Sequence, residues 1–117
     1  MDKFTQAYIV AALWSSTDES TPEGGDFLDT NYGPDDLALE TLRQMLADCA
    51  RFQAENANDI DGRDEQAGHD FWLTRNHHGC GFWDGDWPTE AGDRLTEACN
   101  DYPEVSLYVG DDGRIYA

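Results

Sequence analysis

The chain predicts an α+β fold in which two N-terminal helices are followed by a hairpin, a helix and a second hairpin, with the helices packed on one face of a small antiparallel sheet. Three observations carry this. Leu39, Leu42, Met45, Leu46, Cys49 and Phe52 form an apolar stripe at three-and-four spacing, the signature of an amphipathic helix. Residues 105–109 alternate apolar and polar side chains ahead of the turn Gly110-Asp111-Asp112-Gly113, which reads as a hairpin. Finally, 117 residues with 39% hydrophobic and 12% aromatic content suffice for one domain with one modest core.

Taken in order, residues 3–14 read as a short helix. Phe4, Tyr8, Ala11 and Ala12 recur at helical spacing and Asp2 is placed to cap; a buried strand over Tyr8–Leu13 is the competing reading of the same apolar run. Residues 15–33 contain Ser, Thr, Pro, Gly and acids with few apolar groups, so they read as a long, flexible acidic loop within the domain. The long helix spans 35–58, with Pro34 at its start and Asp35 and Asp36 against its positive dipole end; Leu42 and Leu46 belong to its core-facing stripe. His69–Thr74, rich in aromatic residues, reads as a strand. The loop Asn76–Gly81 then leads to Phe82-Trp83 as its short partner. Pro88 opens a helix over about 88–102, which Pro103 ends. The second hairpin closes with Arg114-Ile115-Tyr116.

Charge dominates the composition. There are 25 Asp and Glu against 7 Lys and Arg, a formal net charge of -18, where solubility alone asks for a magnitude of ~2–8 in a small domain. Residues 15–40 carry Asp18, Glu19, Glu23, Asp26, Asp29, Asp35, Asp36 and Glu40 and no Lys or Arg. Such a surplus opposes binding to nucleic acid, whose phosphates are held by Lys and Arg, and opposes an anionic membrane surface. It favours a basic protein partner, most often one that itself binds nucleic acid. Self-association as a homodimer stays open. The three cysteines, Cys49, Cys80 and Cys99, are odd in number and widely spaced, which implies no disulfide framework and fits a reducing, cytoplasmic compartment.

The motifs Ala67-Gly68-His69-Asp70-Phe71-Trp72-Leu73-Thr74-Arg75-Asn76, His78-Gly79-Cys80-Gly81-Phe82-Trp83-Asp84, Gly92-Asp93-Arg94-Leu95-Thr96-Glu97 and Val105-Ser106-Leu107-Tyr108-Val109-Gly110-Asp111-Asp112-Gly113, with Ala7–Trp14 at the start, resemble a family of small acidic phage and prophage proteins. The resemblance covers most of the chain outside 15–33. It implies a phage origin. Small acidic phage proteins are often counter-defence factors that imitate DNA, so it also points to an inhibitor of anti-CRISPR or anti-restriction type.

Three groups of residues are candidates for function. Asp18, Glu19, Glu23, Asp26, Asp29, Asp35 and Asp36, with Asp84 and Asp86, would present carboxylates to the basic groove of a nucleic-acid enzyme, with electrostatic steering raising the on-rate; the bland reading is a solvated acidic surface. Trp87, set among Asp84, Gly85, Asp86 and Pro88, is the candidate exposed aromatic contact. It supports an alternative function, a non-enzymatic regulatory or structural protein-binding module whose aromatic hairpin, Trp83 to Trp87, carries recognition. His69, His77, His78 and Cys80 are of zinc-ligand type, but their spacing matches no standard site, so no metal is expected and the group reads as a polar hairpin loop. No G-x-S-x-G, H-E-x-x-H or phosphate-binding glycine loop is present. The expectation is a protein without catalytic residues or cofactor.

Overall fold

The computed structural model describes residues 1–117 as five helices and one two-stranded antiparallel sheet. The helices are α1 (Lys3–Ser15), α2 (Leu39–Glu55), α3 (Ala57–Ile60), α4 (Asp64–Arg75) and α5 (Thr89–Ala98), and the strands are β1 (Tyr108–Val109) and β2 (Ile115–Tyr116). The fold is α+β and rich in helix, and no helix is long and apolar enough to cross a membrane.

Helix α1 is capped by Asp2, whose Oδ1 accepts from the Thr5 N–H at 2.8 Å, satisfying one of the free donors of the first turn. The strand alternative for this segment is thereby set aside. Helix α1 lies against α4 along its length. Gly68 makes that approach possible: a Cβ there would overlap the carbonyl oxygen of Phe4.

Helix α4 corrects the first predicted hairpin. His69–Thr74 is helical, and Phe82-Trp83 lies in a turn. The physical reason is burial on every side. Ala67, Gly68 and Asp70–Arg75 are all buried, so the segment shows no polar face and hence no helical stripe. Its ends do obey helix chemistry, with Asp64 and Glu65 in the first turn and Arg75 in the last.

The long helix also differs from expectation. Pro34–Asp36 is a separate 3₁₀ turn, α2 begins at Leu39, and after Glu55 the chain turns through Asn56 into α3. At 1.5 Å per residue its 17 residues span about 25 Å. Its buried side chains are Thr41, Met45, Cys49 and Phe52. The stripe is thus rotated: Leu42 is half-buried, Leu39 is 61% exposed and Leu46 is 39% exposed.

The terminal hairpin forms where expected but pairs only two residues per strand, Tyr108 with Tyr116 and Val109 with Ile115. Val105–Leu107 lies outside the sheet. Ile115 then bridges in parallel to Leu37, and its carbonyl accepts from the Ala38 N–H at 2.9 Å, tying the sheet to the start of α2. The sheet is an edge feature rather than a floor under the helices.

The core is aromatic. Phe52 stacks on Phe71 at 4.2 Å between ring centroids, Phe82 lies 5.8 Å from Phe52, and Tyr102 sits edge-on to Phe71 at 5.0 Å. Offset and edge-on pairs of this kind add ~0.5–1.5 kcal/mol each beyond area burial.

The rotated face of α2 is testable. Met45→Ala should cost about 2–5 kcal/mol, the range for truncating a core side chain, whereas Leu46→Ala should cost less than about 1 kcal/mol. Urea midpoints of the two variants check this; a larger loss in Leu46→Ala would return the predicted face to the core.

Candidate functional site

The acidic segment is irregular, as its composition predicts, yet it is closed by its own backbone. Thr17 bridges Phe27, the Asp18 N–H donates to the Asp26 carbonyl at 2.7 Å, and the Leu28 N–H donates to Ser16 at 2.9 Å. Leu28 is fully buried and pegs the loop to the core. A short 3₁₀ turn, Leu28–Thr30, follows, and then Pro34–Asp36. Leu37, also buried, is the second peg.

The predicted carboxylates fall on this scaffold as follows. Glu19, Glu23, Asp26, Asp29 and Asp35 are exposed, and Asp18 and Asp36 are half-buried. Asp18 and Asp26 are brought beside each other by the bridge. Asp18 accepts from the Ser20 hydroxyl at 2.6 Å and the Ser20 N–H at 2.9 Å, and these bonds hold its carboxyl below the ordinary range. Asp36 accepts from the Gly33 N–H at 2.8 Å and so shapes its turn rather than standing free. Asp84 and Asp86 are exposed but belong to a different segment, the turn after α4.

Few of these charges are neutralised from within. Of the 25 carboxylates, those of Asp48, Glu55, Asp59, Asp70 and Glu104 lie within 4.0 Å of a basic side chain, two of them facing only histidine. Four of the seven cations are engaged elsewhere: Arg75 is in the core, Arg94 is bidentate on Asp59, Arg51 is paired with Glu55, and Arg63 lies over Trp87 while donating to the Asp86 carbonyl. Arg114 reaches the acidic segment but donates to the backbone carbonyl of Asp35, at 3.1 Å, and not to a carboxylate.

Trp87 is a correction. It is 6% exposed, and its indole N–H donates to Asp70 Oδ2 at 2.7 Å. Asp70 is itself 1% exposed and also takes bonds from Gln66 at 2.8 Å and from His69 Nδ1 at 3.2 Å. Asp84, Asp86 and Pro88 suggest an exposed setting because they neighbour Trp87 in sequence. The partner that draws the indole inward lies 17 residues away, where no local signal reaches. The exposed tryptophan of this region is Trp83, at 54%. His69 stacks on Trp14 at 5.7 Å, and His77 Nε2 lies 3.4 Å from Glu104. His69, His77, His78 and Cys80 form no group of three or more that would hold a metal ion.

All three cysteines are free thiols. Burial pushes Cys49 and Cys99 up to about 12, whereas Cys80 is half-buried.

No protein-family model, curated protein or solved structure matches the chain.

Two outcomes follow from this geometry. Trp87→Phe keeps the ring but strips one donor from a buried carboxylate, and should cost about 1–3 kcal/mol; a thermal melt checks it, and an unchanged Tm would mean that Asp70 is satisfied without the indole. The buried thiols set an alkaline limit. Their folded-state values lie above the ~8.5 of an unfolded cysteine, so their contribution is complete below that pH and is lost as pH rises towards 12. The urea midpoint should therefore fall between pH 9 and 11 in the wild type and fall less in Cys49→Ala/Cys99→Ala. Equal losses would place the alkaline instability elsewhere.

Proposed function

We propose that the protein is a phage-encoded acidic inhibitor, a DNA mimic of the anti-CRISPR or anti-restriction kind, which blocks a basic nucleic-acid-binding defence or repair protein in the cytoplasm of a bacterial host. One observation carries the reading: the acids of residues 18–36 stand on a loop fixed by backbone hydrogen bonds and two buried leucines, and none of their carboxylates has a basic side chain within 4.0 Å. A chain that spent its carboxylates on its own stability would pair them with Arg and Lys. Here they are left as a field for a partner. The resemblance to small acidic phage proteins supports the same reading, which assigns the chain no catalytic step and no direct contact with nucleic acid.

The exposure of Trp83 favours a second reading, a regulatory or structural binding module with an aromatic anchor. Trp83 takes the place that the sequence suggested for Trp87. The two readings part on salt, because charge attraction is screened and apolar docking is not.

Lysine at Glu23, Asp26 and Asp29 tests the proposal, since these three are exposed and bind into the loop through the backbone alone. A basic partner recovered from host lysate should release labelled duplex DNA to the wild type, less effectively as salt rises. The triple variant should lose tenfold or more of that competition while melting at the wild-type temperature. A partner that keeps its DNA while bound would overturn the mimic. So would undiminished competition by the triple variant.

A further inference from the structure

We infer that the cleft between the end of α4 and the 96–104 segment is a receptor for one arginine side chain of the basic partner. The inference rests on the partner being basic, but on different residues from the acidic loop.

The cleft encloses about 430 Å³, and its lining includes Thr74, His77, His78, Trp83, Asn100 and Glu104. That is towards the small end of ligand sites, room for one long side chain rather than a peptide. No lysine or arginine lines it; its basic groups are His78 and His77, whose Nε2 lies 3.4 Å from the Glu104 carboxylate, and Arg75 stands behind the wall on the Pro103 carbonyl.

Its walls are held from below. At the end of α4 the His77 N–H donates to the Thr74 carbonyl at 3.1 Å and the His78 N–H to the Leu73 carbonyl at 3.0 Å. This is the paired-bond helix stop that places its middle residue in the left-handed region, and His77 has φ 57°. The opposite wall is clamped on both sides of Glu104. The Pro103 carbonyl accepts two bonds from Arg75, at 2.7 and 3.0 Å, and the Val105 N–H donates to the Asn76 side chain at 2.7 Å. Trp83 is positioned by its neighbour: Phe82 is buried, and its N–H donates to the Thr74 hydroxyl at 3.1 Å. The next side chain is left outside, over half exposed.

An aromatic face and a carboxylate on a fixed frame are the two elements that hold a cation, one by its quadrupole and the other by charge. A guanidinium suits them better than an ammonium. It is planar, it stacks, and it sheds water at lower cost. Asp84, Glu97 and Asp101, each exposed and next in sequence to a lining residue, add negative charge to the segments that form the cleft. An anionic or nucleotide ligand is disfavoured by the same charges.

The probe is N-acetyl-arginine N-methylamide, titrated into the full chain at pH 8 and 0.15 M salt and followed by ¹H–¹⁵N NMR. The lysine analogue and the neutral citrulline analogue serve as comparisons. The expected result is a saturable shift of the Trp83 indole N–H and the Glu104 amide, with affinity falling from arginine to lysine to citrulline. Trp83→Ala and the near-isosteric Glu104→Gln should each weaken binding about threefold or more, while the lysine triple variant at 23, 26 and 29 should stay within about twofold of wild type. Equal binding of citrulline, shifts confined to the acidic loop, or unchanged affinity in both cleft variants would overturn the site. Those outcomes leave the DNA-competition result standing, and loss of that competition leaves the cleft standing.

Discussion

The buried guanidinium of Arg75 is the interaction on which the rest of the molecule depends. It is the one cation of the seven that lies in the interior, 2% exposed. Nη1 donates to the Tyr8 hydroxyl of α1 at 3.1 Å and to Asp48 of α2 at 2.9 Å, while Nε and Nη2 hold the Pro103 carbonyl. The plane lies over Phe71 and Tyr102 at about 5.5 Å from each ring. One side chain thus joins three helices and the segment that leads to the sheet. A buried charge of this kind adds little net stability over an apolar residue, but its loss or misplacement costs ~3–5 kcal/mol because its partners are stranded. Its value here is geometric. Tyr8 shows the coupling: burial dominates and raises its phenol well above the ordinary range even with Arg75 beside it, so the phenol stays a neutral member of the cluster.

Around that point the core is assembled on rings. Large rings reach across gaps between short helices, and six buried leucines and three buried isoleucines fill in around them. The cost is tolerance. The α1–α4 contact is close enough that Gly68 admits no Cβ, and Gly81 likewise faces the Thr74 hydroxyl so closely that a side chain there would collide. Gly68 lies within the buried stretch of α4 and Gly81 lies beyond its end against Thr74, so the helix that carries Arg75 is approached closely at two points where a side chain is absent.

What was legible in the sequence follows from what shows locally. The cap at Asp2, the helix opened by Pro88 and the Gly110–Gly113 turn are short-range signals, and each marks its element. The irregular backbone of 15–33 also follows from composition, since that stretch has too few apolar side chains to pack a regular element. By contrast, α4 reads as a strand because its aromatic run is buried on all sides, which erases the period that distinguishes helix from strand. The face of α2 is misjudged because leucine at Leu39 and Leu46 looks more apolar than threonine at Thr41, whereas packing is decided by where α1 and α4 lie. Trp87 is misplaced for a similar reason: its setting is fixed by Asp70, not by its acidic neighbours. Among site residues, the exposure of Glu19, Glu23, Asp26, Asp29 and Asp35 was legible from charge alone, whereas the half-burial of Asp18 and Asp36 was not. The clamp on Glu104 was not, since it is made by Arg75 and Asn76 acting across 28 and 29 residues.

The division of labour between charge and core then has a physical basis. A net charge of -18 repels itself, and the penalty grows where carboxylates are desolvated or crowded. The chain keeps most of that charge on loops and helix exteriors, where water screens it, and admits only Asp70 to full burial, surrounded by three donors. The acidic segment needs no core of its own, because Leu28 and Leu37 lend it the core of the helices. A surface held this way can stay charged without unfolding the protein beneath it, and a basic partner that covers it would relieve the repulsion as well as supply attraction. The field and the scaffold are therefore separable: the first is set by surface acids, among them the seven of residues 18–36, the second by Arg75 and the rings around it.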